Sequence, residues 1–263
     1  MIAALGRFET DGPAAPAEPA PGPAVEMPSS QSVASLLADD PADLHNVLGL
    51  MGESLRCLIN LEAAGAAHEP VSPHTLRITG SGRIEIAAHG PAGERDTLMV
   101  SSPKYTAPEM MRGRPLADAD ARVRADLYAL GFVMYEYLLG RRRFRAEFPG
   151  LDDRGTDLGW MEWHSDPSRK AKPASALLQA TPAPLSQLLE AMLEKDPAKR
   201  CARYEDAYRT VQELVGRTQQ TQQVKVARVE GKAARSGLRM GLVACGFAII
   251  LLSLLALVAR LLR

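Results

Sequence analysis

The stretch His68-Glu69-Pro70-Val71-Ser72-Pro73-His74-Thr75 gathers two imidazoles, a carboxylate and two hydroxyls in a short run of chain. Groups of these types can ligate a metal ion, pass a proton, or close a proline-stiffened turn. His68 and His74 do not have the i, i+4 spacing that places two imidazoles on one helical face. The three cysteines, Cys57, Cys201 and Cys245, are odd in number and show no C-x-x-C spacing, so neither a disulfide framework nor a zinc site is expected from them.

Elements on either side must position this stretch. Upstream, Leu44, Val47, Leu48, Met51, Leu55, Leu58 and Leu61 recur at three- and four-residue steps, with Pro41 suited to a first turn and Gly65 past the end. That pattern predicts a long amphipathic helix from Pro41 to about Ala64. Downstream, "TLRIT" and "RIEIA" are joined by Gly80-Ser81-Gly82 and predict a tight β-hairpin. A loop region is expected from Gly90 to about Arg122. "RADLYALGFVMYEYLLG", Arg124 to Gly140, is apolar on nearly every face and ends at a glycine, as a central buried helix would. A polar loop carrying Trp160, Trp163 and His164 follows, with packing the default expectation for its aromatics. "PLSQLLEAMLEKD" and "RYEDAYRTVQELVG" predict two further amphipathic helices, separated at Asp196-Pro197.

The chain has 263 residues and 46% hydrophobic side chains, enough to build a core. Lys+Arg 31 against Asp+Glu 31 leaves no net field toward nucleic acid, which is not expected as a partner. Residues 11 to 28 alternate Pro with Ala and Gly, so residues 1–39 are expected to form a tail. The N-terminus lacks the pattern of a cleavable signal peptide. Met240 to Ala259 is uncharged and long enough for one helix to cross a bilayer. Lys225, Arg228, Lys232, Arg235 and Arg239 precede it and only Arg260 and Arg263 follow, which predicts a tail anchor in the inner membrane with the N-terminal part in the cytoplasm. Gly237 and Gly241 form a small-xxx-small pair, the feature that allows for a homodimer.

The order of helix, loop, hairpin, "KYTAPEM", a central helix opening "DLYALG" and a helix pair with "KDPAKR" resembles the C-terminal lobe of bacterial serine/threonine protein kinases, over about Pro41 to Val215. Thr106-Ala107-Pro108-Glu109 resembles the A-P-E motif, and Asp126 to Gly131 the start of the family's central helix. The resemblance implies a fold that is mainly α, a kinase C-lobe-like helical domain over 40–216 with a small β-hairpin, followed by a basic linker over 217–238 and a transmembrane helix over 239–260. It implies that Glu109 pairs with Arg200, that Asp126 accepts backbone N–H bonds from the catalytic loop, and that His68 packs into the core.

Laid on the family's H-R-D-L-K-P-x-N pattern, the opening stretch keeps His68 and Pro73. Pro70 stands for the catalytic aspartate, Ser72 for the lysine and Thr75 for the metal-binding asparagine. Ala88-His89-Gly90 stands where D-F-G belongs, with Ala88 in place of the magnesium ligand and Gly90 kept. The space before Asp40 is too short for an N-terminal lobe. In the kinase geometry His68, His74 and His89 would lie around one cleft, but core packing is the stronger expectation for the first and no metal is expected. No cofactor is implied.

The resemblance therefore implies a pseudokinase, a membrane-anchored scaffold or regulator of another protein, such as an active kinase or a secretion or envelope component. An apolar face left open by the missing lobe would be its binding surface. A rival is an active serine/threonine kinase or nucleotide-using transferase with rearranged ligands, in which Glu69, Glu85 or Asp96 replaces the lost carboxylates. Another is a structural tail-anchored subunit with an incidental likeness. Ser101, Ser102 and Thr106 are candidate phosphoacceptors in the activation-segment position.

Overall fold

The computed structural model describes residues 30–86, 88–91, 102–112, 116, 118–151 and 157–220. Its order is β1 (Gln31–Ser32), α1 (Leu44–Ala63), β2 (Ala66–His68), β3 (Leu76–Ile78), β4 (Ile84–Ile86), β5 (Ala88–Pro91), α2 (Ala119–Glu147), α3 (Asp157–Ser165), α4 (Ala174–Leu177), α5 (Ala183–Met192) and α6, residues 204–220. The fold is mainly helical. Strands β1, β3 and β4 form a small antiparallel sheet, and β2 pairs with β5.

Helix α1 is capped by Asp43, whose carboxylate accepts from the His45 amide at 2.8 Å. Its predicted stripe is the buried face, with Val47, Leu48, Met51, Leu55 and Leu58 all in the core. Helix α2 is buried continuously from Ala125 to Gly140, in keeping with an apolar sequence that has no polar face. At Gly131 α5 packs close, since a Cβ there would lie 2.9 Å from Met192 Cβ. Gly140 has φ +72°, so the central helix does break there, but helical turns resume and run to Glu147. A Cβ at Gly140 would sit 2.4 Å from the Asp40 carbonyl, so glycine lets two backbones cross.

Two expectations are corrected. Residues 30–39 are not all tail: β1 pairs with β3, Val33 is fully buried, and the Ala38 carbonyl accepts from the Arg141 amide at 2.8 Å. Trp160, Trp163 and His164 lie on helix α3 rather than in a loop, and all three are buried. Among the described residues the exposed large hydrophobics are Leu158 and Met161 on α3. Among the described residues no helix is long and apolar enough to cross a membrane, and the segment Met240–Ala259 lies outside them.

Candidate functional site

The loop between β2 and β3 is a closed polar turn. Thr75 Oγ1 donates to the Pro70 carbonyl at 2.7 Å and accepts from the Ser72 amide at 2.9 Å, while the Thr75 amide donates to Ser72 Oγ at 3.2 Å. Pro70 has no side-chain acceptor, and the Ser72 and Thr75 hydroxyls lie 3.0 Å apart, each engaged inside the turn. Ser72 is buried and His74 exposed. From outside, the Pro73 carbonyl accepts from Ser32 Oγ and from the Ala34 amide, both at 2.8 Å. The segment before α1 therefore straps the loop down.

His68 and Asp126 meet beneath this turn, with Nε2 3.3 Å from Oδ2. The expected backbone N–H donors to Asp126 are replaced by two side chains, His68 and the Tyr204 hydroxyl at 2.7 Å. The His68 Nδ1–H donates to the Glu69 carbonyl at 2.8 Å. Burial pushes the His68 pKa down, but the Asp126 charge and hydrogen bond, with the Glu69 carbonyl, outweigh it and lift the value to about 8. With both ring nitrogens engaged, His68 is no free base or ligand.

Strand register sets His68 opposite Ala88 and Ala67 opposite His89, so the Ala88-His89-Gly90 segment does run beside the loop. An alanine side chain carries no oxygen for a hard cation. Glu85 is elsewhere: it lines an open groove of about 290 Å³ between α1 and β4 with Glu53, Arg56, Cys57 and Asn60. Asp96 and Ser101 lie outside the described residues. Among the described residues no three His, Cys, Asp or Glu side chains converge as a metal group. Among the described residues, Pro70 and Thr75 bring no side-chain carboxylate or amide oxygen to the positions where the magnesium ions of phosphoryl transfer are held.

The segment from Ser102 to Arg112 is pinned to the helices below by buried polar groups. Lys104 Nζ donates to Glu136 Oε1 at 2.9 Å and the Tyr105 hydroxyl to Oε2 at 2.7 Å. The Lys104 carbonyl accepts from His164 Nε2 at 3.0 Å, and His164 Nδ1 accepts from the Tyr128 hydroxyl at 2.7 Å. Burial, with Lys195 nearby, depresses the His164 pKa to about 3 despite the Lys104 carbonyl, so this ring is neutral. Arg200 forks onto Glu109 at 2.7 and 3.1 Å and also donates to the Arg124 and Glu194 carbonyls. The Thr106 hydroxyl donates to the Ser102 carbonyl at 2.9 Å. Sequence reasoning singled out Glu109, Asp126 and Arg200 but missed Lys104, Glu136 and Tyr204. A charged Glu in the middle of an apolar helix was the available signal for Glu136.

Curated proteins similar to the chain include the probable serine/threonine-protein kinase PknB of Corynebacterium glutamicum, 31% identical over 118 residues, which are 41% of this chain and 17% of that protein. Its relatives are bacterial serine/threonine protein kinases. PknL of Mycobacterium tuberculosis is 25% identical over 174 residues, 64% of this chain and 40% of its own. PknA of the same species is 28% identical over 164 residues, 60% of this chain and 34% of its own. The chain thus spans less than half the length of the curated relatives it matches. No family model matches it.

Proposed function

We propose that this kinase-like chain works by binding another protein rather than by transferring phosphate, held at the cytoplasmic face of the inner membrane by Met240–Ala259. The observation that carries the first half is the closed turn. Phosphoryl transfer depends on charges and metal ions placed around the phosphate. Here Pro70 brings no carboxylate, and the Thr75 hydroxyl at the metal position is committed to the Pro70 carbonyl and the Ser72 amide. The groups that dock the segment after residue 101 are meanwhile kept, with Glu109 and Arg200 forked together. Retention of that pair weighs against an incidental likeness. A chain that keeps the docked segment and loses the catalytic groups is suited to presenting a fixed surface, and the partner in view is an active kinase or an envelope or secretion component.

The test is the melting temperature of the full chain in detergent, with and without millimolar ATP and magnesium. Ligand at 100 times its Kd would add about 2.7 kcal/mol to the folded state. We expect no shift. A magnesium-dependent shift would overturn the reading and send mutagenesis to Glu69 and His89.

A further inference from the structure

Both ring nitrogens of His68 face oxygens that only accept: the Glu69 carbonyl at 2.8 Å and the Asp126 carboxylate at 3.3 Å. A neutral imidazole carries one N–H and serves one of them; the imidazolium serves both. Asp126 also accepts the Tyr204 hydroxyl at 2.7 Å, so one carboxylate ties together the end of β2, where the loop begins, helix α2 and the first turn of α6. The side chains of His68 and Asp126 are 8% and 11% exposed, which keeps solvent screening weak. Around them, Arg122 on α2 opposes the imidazolium charge, and Glu62 at the end of α1 acts on Tyr204. Asp120, Arg203 and Glu205 act on Glu62 in turn.

We propose that His68 is a proton-dependent joint: its imidazolium holds the loop carrying Pro70, Ser72 and Thr75 to Asp126 on α2 and, through the Asp126–Tyr204 bond, to the start of α6, and loss of the proton leaves one of its two oxygens without a donor and loosens that hold. Because α6 is the element from which the chain runs on into residues 221–263, the joint links the loop to that end of the chain. A histidine held at about 8 when folded, against 6.5 when free, gives its full contribution below pH 6.5 and loses it as pH rises through 8. The window spans neutrality, where histidine is the side chain suited to switching.

Two measurements on the full chain in detergent test the joint. Histidine-labelled NMR should show His68 titrating near 8, its signal assigned by its loss in His68→Gln. Amide exchange, corrected for its intrinsic rise with pH, should show opening of residues 68–76 and 204–208 increase by up to roughly thirtyfold between pH 6 and pH 9.5, the factor that 1.5 pKa units allow. His68→Gln should flatten that dependence. Titration at or below 6.5, or a pH dependence that persists in His68→Gln, overturns the proposal. If the variant does not fold, the His68 signal is assigned instead by through-bond correlation of the ring to its own backbone amide, and the wild-type titration decides. Neither readout involves nucleotide, so failure here is distinct from failure of the binding reading.

Discussion

Arg200 has no exposed side-chain surface and donates to one carboxylate and to several backbone carbonyls, with its guanidinium also 4.7 Å from the Tyr128 ring centroid. Removing it leaves Glu109 and those carbonyls without their donor. Arg200→Ala is expected to cost about 3–5 kcal/mol, the range for breaking a buried pair from one side. Arg200→Lys should recover only part of this, because an ammonium cannot reproduce the fork. Urea denaturation midpoints of the three proteins decide; a lysine variant matching wild type would mean that charge alone matters. His164 makes a second residue-scale prediction, of opposite pH sense to His68. Its folded pKa of about 3 lies below the free value of 6.5, so the unfolded chain takes up a proton first as pH falls. Stability should drop below about pH 6.5 with a slope of up to roughly 1.4 kcal/mol per pH unit from this group. His164→Gln should lose that share of the slope in denaturation series between pH 5 and 7, and an unchanged slope would refute the assignment.

At the scale of elements, the crossing at Gly140 is the most demanding piece of backbone. Gly140→Ala must place a Cβ in the left-handed region, at about 1–2 kcal/mol, and also push the Asp39–Asp40 backbone away from contacts of 2.4 and 2.7 Å. We expect a loss of more than 2 kcal/mol in thermal or chemical melts, and a smaller loss would mean that the strap yields easily. The elements legible in the sequence were those with a strong period or a marked stop. The leucine stripe of α1, the Gly-Ser-Gly hairpin and the Asp-Pro before α6 gave their positions to within a few residues, while the apolar run of α2 gave its buried centre and its break at Gly140 but not its ends at Ala119 and Glu147. The β2–β5 pair escaped notice because Ala66-Ala67-His68 and Ala88-His89-Gly90-Pro91 contain no β-branched residue, and two such strands exist only because the chain brings them together. Helix α3 was missed for a related reason: Trp160, Trp163 and His164 look like a loop cluster until the aromatic core around Phe132 gathers them at 4.9 to 5.8 Å. The Glu109–Arg200 pairing came from family likeness rather than from any local pattern, since the two lie 91 residues apart.

At the scale of the molecule, the segment before α1 acts as a strap across the described residues. Residues 30–42 run from the loop at Pro73, past the Gly140 crossing, into α1, contributing Val33 and Leu37 to the core on the way. A strand of two residues such as β1 has little stability of its own. Its hold on the loop depends on the side chain beside it, Val33, which has no solvent exposure. Burying a valine is worth about 1.5–3 kcal/mol, and a carboxylate in its place would also have to be desolvated or drag the strap into water. Val33→Asp is therefore expected to lower the melting temperature and to raise amide exchange in Leu76–Ile78, where β1 pairs. Leu158→Asp, the same chemistry at a side chain 64% exposed on α3, should leave both unchanged. If Val33→Asp melts like wild type, the strap is a passive overlay and the sealing of the loop must come from within the Pro70–Thr75 turn itself; if it melts lower and the loop exchanges faster, these few residues do for this domain the covering work that a second lobe does for a whole kinase.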